Sequence, residues 1–249
     1  MNPAPDTPRL RPRTAATKRL SARLSVVVPT LDEAGWIEDT LQVLAPLRAR
    51  GHEVIVADGG SSDATRALCR RRADAVVEAP RGRAAQMNAG AAAACGDVLL
   101  FLHADTRLPP QADTLVLAAV AAGAMWGRFD VHIAGRSPMF PLIAAAMNWR
   151  SRVTGIATGD QAIFVGRDAF ERCGGFPAQP LMEDVEISRR LRAIARPACL
   201  RVRVLTSGRR WDRDGVWRTI LLMWQLRWRY WRGASPEALA RAYARAATE

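Results

Sequence analysis

The stretch Val98-Leu-Leu-Phe-Leu102 constrains this chain more than any other feature: five apolar residues, closed at once by His103-Ala-Asp-Thr106. An unbroken apolar run of this length after the turn signal Gly96-Asp97 predicts a strand buried on both faces, as in a parallel sheet covered by helices. A carboxylate just past the carboxyl end of such a strand lies where open α/β sheets bind ligands. Asp105 has that position; a helix-capping aspartate would fit the same stretch.

The flanking sequence repeats the pattern. Leu24-Ser-Val-Val-Val-Pro29 predicts a first strand closed by Pro29, which cannot donate to a ladder. Thr30–Gly35 is a turn, and Asp32 can cap the helix that follows. Trp36, Ile37, Thr40, Leu41 and Leu44 recur at helical spacing, with Pro46 kinking or shortening that helix. Further strands are expected at Glu53–Ala57 and Ala75–Glu78, and helices through Arg72, from Arg83 to about Cys95 and from about Pro110 to Ala122. This alternation argues for an α/β fold with a mostly parallel central sheet and helices on both faces. Right-handed crossovers bring Thr30–Gly35, Asp58–Asp63 and His103–Thr106 to one edge.

The second half departs from that rhythm. Trp126–Ile133 alternates like a half-exposed strand, Pro138–Arg152 reads as an apolar helix, and Gly159–Val165 as another strand. Asp168–Arg172 predicts a short helix ended by Gly174-Gly175, and Leu181–Leu191 a helix with acids in its first turn.

Three polar constellations stand out. Asp58-Gly-Gly-Ser-Ser-Asp63 is neither a dinucleotide fingerprint nor a P-loop. Its leading acid suits a base or ribose, and a β-turn with a helix cap accounts for the same residues. Arg81-Gly-Arg83, with Gln86 and Asn88 behind it, sets cations and amides at a helix start, where phosphate binds readily, or makes a solvated basic turn. Glu183-Asp184 can complement a helix dipole or split catalytic roles, and Asp160 in Thr158-Gly-Asp-Gln161 is a third candidate acid.

Taken in order, Ser25–Glu33, Val56–Thr65, Gly82–Gly90, His103-Ala-Asp105, Cys173-Gly-Gly-Phe176 and Met182-Glu-Asp184 resemble the family 2 glycosyltransferases of GT-A fold. The resemblance runs from about residue 24 to 205. The wording of Gly82–Gly90, Gly159-Asp-Gln161, Pro180–Asp184 and Thr206–Trp211 is similar to a bacterial subgroup labelled arsenosugar-biosynthesis glycosyltransferases. The resemblance implies a donor-nucleotide site at Pro29, Thr30, Glu33, Asp58, Arg83, Asn88 and Ala104, with Asp58 reading the base, usually uracil. It implies a divalent metal, Mn²⁺ or Mg²⁺, at Asp105, with His103 standing where the family often has Asp. It implies Asp184 as catalytic base with Glu183 beside it. Asp160, Gln161, Arg210 and Trp211 are expected on the acceptor and diphosphate side. The partners so implied are a UDP-linked sugar and a hydroxyl acceptor, small or lipid-like, joined with inversion; no nucleic acid is expected. A GT-A-like nucleotidyltransferase, or a basic nucleic-acid- or membrane-binding protein without catalysis, are the competing readings.

Composition bounds the rest. The net charge is +12, almost all from arginine, since Lys18 is the only lysine. Such a balance attracts phosphates of a nucleotide, an anionic lipid or a nucleic acid alike. Four scattered cysteines without CxxC spacing argue against a zinc site or a disulfide framework and suit a reducing cytosol. Residues 1–23 read as a disordered basic tail, 24–205 as the GT-A domain and 206–249 as a basic, Trp-rich helical extension. Trp217, Ile220, Leu221, Trp224, Trp228 and Trp231 share a helical face with arginines among them, as in a helix lying at a membrane interface or one packed across the domain. The expected location is cytoplasmic, peripheral at the inner face of the cell membrane.

Overall fold

The computed structural model describes residues 22–248, so the expected tail lies outside the described residues except for Ala22 and Arg23. Four short strands form the first half of the sheet: β1 (Leu24–Thr30), β2 (Glu53–Asp58), β3 (Ala75–Glu78) and β4 (Val98–Phe101). They are parallel, and α1 (Ala34–Ala49), α2 (Thr65–Arg72) and α3 (Arg83–Ala93) are the crossovers. β1 and β4 are buried along their whole length, as a doubly covered strand must be. β1 continues through Pro29 to Thr30, beyond the end expected from the proline. β4 stops opposite Val27, so Pro29 has only β2 beside it and its missing N–H breaks no ladder on the other side. α1 likewise continues past Pro46 to Ala49, and Glu33 rather than Asp32 is its N-cap residue.

The second half adds β5 (Thr106–Arg107), α4 (Ala112–Ala121), β6 (Trp126–Ala134), α5 (Phe140–Thr154), β7 (Ile163–Gly166), α6 (Arg167–Arg172), α7 (Glu183–Ile194) and β8 (Ala198–Ser207). The eight strands run in the order β3-β2-β1-β4-β7-β6-β8-β5. β7 is antiparallel to both β4 and β6, and β5 is antiparallel to β8, so the sheet is mixed beyond β4. Gly159–Gln161 is a 3-10 turn that precedes β7 instead of extending it.

β6 is buried rather than half-exposed. Arg128 and Asp130 find internal partners: Arg128 is ion-paired with Asp130 and donates to the Asn148 carbonyl at 3.0 Å, and Asn148 of α5 clamps both backbone groups of Val131. Alternation that reads as a solvent face is here a buried polar seam under α5.

Alternate strand residues feed two cores. Val26, Val28, Val56 and Leu100 pack with α1, α4 and α5, while Val27, Ile55, Leu99 and Phe101 pack with α3, α6 and α7. α3 lies so close to β1 that a Cβ on Gly90 would sit 2.3 Å from a Val27 methyl. The chain ends in α8 (Arg209–Asp214), α9 (Val216–Trp231) and α10 (Pro236–Thr248). Leu226 and Leu239 join Met182 in a third small core, which seats α9 and α10 over the start of α7. The boundary expected at 205/206 therefore falls inside β8.

Candidate functional site

A cleft of about 470 Å³ opens at the carboxyl ends of β1 and β4. Its walls come from Pro29, Thr30 and Glu33 after β1, from Arg81, Gly82, Arg83 and Gln86 at the start of α3, and from His103, Ala104 and Asp105 after β4. Pro180, Leu181 and Glu183 before and on α7, Arg209 on α8, and Ala240 and Tyr243 on α10 complete it. Of the residues expected at the site, Pro29, Thr30, Glu33, Arg83, His103, Ala104, Asp105 and Glu183 meet here.

The His103–Asp105 turn is held from three sides. The Thr40 hydroxyl donates to the Ala104 carbonyl at 2.6 Å, the Thr106 N–H to His103 at 3.0 Å and the Ser207 N–H to Asp105 at 3.2 Å. These bonds carry the chain from the central strand β4 to the edge pair β5–β8 and leave the Asp105 carboxylate at the cleft. His103 packs against Gly159, where a Cβ would come within 2.3 Å of its Nε2. Burial first, and then the Arg83 charge, push the His103 pKa well below its usual value, so the ring is neutral.

Arg209 links the two carboxylates of this wall. Its Nη2 donates to both Glu33 oxygens at 3.0 Å and its Nε lies 3.3 Å from Asp105 Oδ2, while the guanidinium stands over the Trp36 ring. Burial raises the Glu33 pKa against the lowering effect of Arg209. Opposite, burial, reinforced by the Asp184 charge, raises Glu183 to about 7. Asp184 points elsewhere: its Oδ2 accepts the Gly159 N–H at 3.0 Å. On that side lie Asp160, whose burial raises its pKa, and Arg150, which burial lowers to about 10; both feel the Asp184 charge.

Several expected site residues are occupied otherwise. Asp58 is buried and closes its own loop, accepting from the N–H groups of Gly60 and Ser61 at 3.1 and 3.0 Å and from the Ser61 hydroxyl at 2.5 Å. Asn88 bonds the backbone of Phe176 twice, at 2.8 and 2.9 Å, and so fixes the Cys173–Phe176 loop. Gln161 is buried and joins the 3-10 turn to Asn148 and Ser151 of α5. Arg210 is paired with Asp214 at 3.5 Å and stacked on the far wall's Tyr243, and Trp211 packs on the core. Arg81 and Gln86 belong to the basic helix start expected to meet phosphate; Arg209 and Tyr243 were not anticipated as cleft residues. An Arg-Arg pair opening a helix points one member each way, and the sequence carries no sign of which faces the cleft.

Among the described residues no three His, Cys, Asp or Glu side chains form a metal cage. Asp105 offers a single carboxylate beside a neutral histidine turned to Gly159. That donor set suits a hard cation that keeps waters and shares a ligand's phosphate oxygens, not a closed all-protein site.

Comparison with known proteins gives three kinds of match. The family described as Glycosyl transferase family 2 matches residues 25–178. The succinoglycan biosynthesis protein ExoA of Rhizobium meliloti (strain 1021) is 35% identical over 109 residues, 43% of this chain and 27% of that protein. Residues 1–349 of S. aureus TarS, solved with UDP, superpose with a TM-score of 0.60 at 18% identity, covering 74% of this chain and 60% of that one. The mannosyltransferase PcManGT from Pyrobaculum calidifontis, solved with GDP-Man and Mn²⁺, gives 0.59 at 24% identity, covering 90% and 70%. The chain thus spans about a quarter of the curated relative's length and under two thirds of TarS 1–349. At these identities the structural matches establish a shared fold.

Proposed function

Since the chain belongs to glycosyl transferase family 2 and has the GT-A fold, we propose that it transfers a sugar from a nucleotide donor, most simply a UDP-sugar, to an acceptor hydroxyl. The observation that carries this reading is the division of the cleft. One wall offers cations, Arg81, Arg83 and Arg209, beside the carboxylates Glu33 and Asp105. The other offers the Glu183-Asp184 pair, split between the cleft and the Gly159 side.

The donor's diphosphate lies along the first wall. Asp105 would hold Mn²⁺ or Mg²⁺ together with the diphosphate oxygens, and the cation supplies positive charge where the leaving group becomes more negative. Arg81 and Arg83 add fixed charge at the same place. Asp184 accepts the proton of the acceptor hydroxyl as that oxygen bonds to the anomeric carbon. The bond from that carbon to the diphosphate oxygen breaks and its electron pair leaves with the diphosphate. Attack from the opposite face inverts the centre in one displacement. The Gly159 N–H orients Asp184 for this role. Glu183, whose pKa burial raises, faces the sugar from the cleft wall.

The acceptor side and its surroundings support a lipid-like or membrane-presented acceptor. Trp217, Leu221, Trp224, Trp228 and Trp231 form one stripe along α9, each 58–80% exposed, with Arg227 and Arg229 on the same helix and Arg232 at its C-cap. A tryptophan face edged by arginine suits the interface of an anionic bilayer, and no described helix is long and apolar enough to cross one. The reading therefore sets the enzyme peripherally at the inner face of the membrane. Substituting Trp224 and Trp228 by Ala should weaken sedimentation with phosphatidylglycerol vesicles; equal sedimentation of variant and wild type removes the membrane contact.

A thermal-shift panel of nucleoside diphosphates and nucleotide sugars with Mn²⁺ tests the function. Stabilisation by UDP and a UDP-sugar is expected. A response to none of the panel overturns the reading.

A further inference from the structure

One guanidinium spans the two carboxylates of the donor wall. Arg209 Nη2 is 3.0 Å from each Glu33 oxygen and Nε is 3.3 Å from Asp105 Oδ2. The same Nε/Nη2 edge of arginine grips single carboxylates elsewhere in the chain, in Arg48–Asp74 and Arg50–Asp113. At Arg209 that edge is divided between two acids, each satisfied less fully than a dedicated partner would be. Arg209 is 40% exposed, against 21% for Glu33 and 19% for Asp105, so the cation closes the mouth of an acidic pair set deeper in the wall.

We propose that Arg209 is a donor-diphosphate-binding residue that, before the donor enters, occupies the place of the divalent cation at Asp105. The inference rests on the donor-cleft reading given above. A divalent cation at Asp105 and the Arg209 guanidinium, 3.3 Å from Oδ2, repel one another, so the two compete for that carboxylate. The charges account for the exchange. Glu33 and Asp105 with Arg209 leave one net negative charge; with a divalent cation in its place they are neutral, and the released guanidinium carries its charge to the incoming diphosphate. Its planar fork matches phosphate oxygens in two parallel hydrogen bonds.

The local structure allows the side chain to move while its backbone stays fixed. The Arg209 N–H is held by the Ser207 hydroxyl at 3.2 Å and the adjoining Gly208 N–H by the Ala134 carbonyl. The Trp36 ring, 5.3 Å from the guanidinium carbon and 40% exposed, gives the freed cation an aromatic face along its path. Arg210 cannot substitute, because it is turned to Asp214 and Tyr243.

The test is Mn²⁺ binding to the full chain, followed by loss of the free-ion electron paramagnetic resonance signal, in wild type, R209Q and D105N. Without nucleotide, R209Q should bind Mn²⁺ about five- to tenfold more tightly than wild type, since a competing charge is gone. With Mn²⁺ present, R209Q should bind UDP about tenfold or more weakly, the loss of a charge-assisted contact. Mn²⁺ affinity in R209Q equal to or below wild type, unchanged UDP affinity, or no Mn²⁺ binding by any of the three proteins overturns the proposal. Failure of wild type to bind UDP refutes the donor reading instead, and the nucleotide-free Mn²⁺ comparison still decides whether Arg209 competes. Mn²⁺ binding that persists unchanged in D105N removes Asp105 as the contested ligand and overturns the exchange.

Discussion

Glu183 and Asp184 are neighbours in the chain whose side chains part: Glu183 lines the cleft, while Asp184 Oδ2 accepts the Gly159 N–H at 3.0 Å. Successive residues at a helix start point about 100° apart, which is what allows a sequence pair to divide its work. Asp184→Asn keeps the size of the side chain and removes its capacity to take a proton. Turnover should fall by about a hundred- to ten-thousandfold, with UDP affinity within error of wild type. Full turnover by that variant rules Asp184 out as base.

Glu183 carries a pH signature of its own. Its folded-state pKa, about 7, lies above the ordinary 4.5 because burial and the Asp184 charge oppose ionisation. The folded chain therefore holds this proton more tightly than the unfolded chain. Stability falls as pH rises from about 4.5 through 7 and then levels, at a cost of order a few kcal/mol. Glu183→Gln removes that cost, so its melting temperature should exceed wild type at pH 8 by a margin that closes toward pH 4.5. A margin independent of pH contradicts the assignment.

Asn88 separates a structural role from a binding one. Its amide makes two hydrogen bonds to the Phe176 backbone, which hold the side chain to the Cys173–Phe176 loop. Asn88→Ala should destabilise the fold by about 1–3 kcal/mol, by orphaning buried backbone groups. The affinity for UDP at a temperature where the variant is folded should stay unchanged. A loss of UDP affinity with no loss of stability would return Asn88 to the donor site.

How much of this was legible in the sequence depends on range. The apolar runs and the turn residues between them are local, so the parallel half from β1 to β4 and the gathering of Thr30–Gly35, Asp58–Asp63 and His103–Thr106 at one edge could be read directly, while Arg83 beside them came from the family resemblance. β8 could not: four of its ten residues are polar or charged, because part of the strand lies at the sheet's exposed end. The buried polar seam of Arg128, Asp130 and Asn148 mimicked a solvent face, since a partner twenty residues away leaves no local trace. The same limit kept the Phe176 partner of Asn88, the α5 partners of Gln161 and the Tyr243 contact of Arg210 out of view, and hid Arg209, one position from the arginine that drew attention.

The central claim is that the cleft at Asp105 binds a nucleoside diphosphate with a divalent cation. Calorimetric titration of UDP into wild type and Asp105→Ala, each with and without Mn²⁺, tests it most directly. The account predicts that Mn²⁺ strengthens UDP binding to wild type by about tenfold or more and leaves Asp105→Ala unaffected. Equal Mn²⁺-dependent binding by the two proteins, or no UDP binding by wild type under any condition, would contradict it.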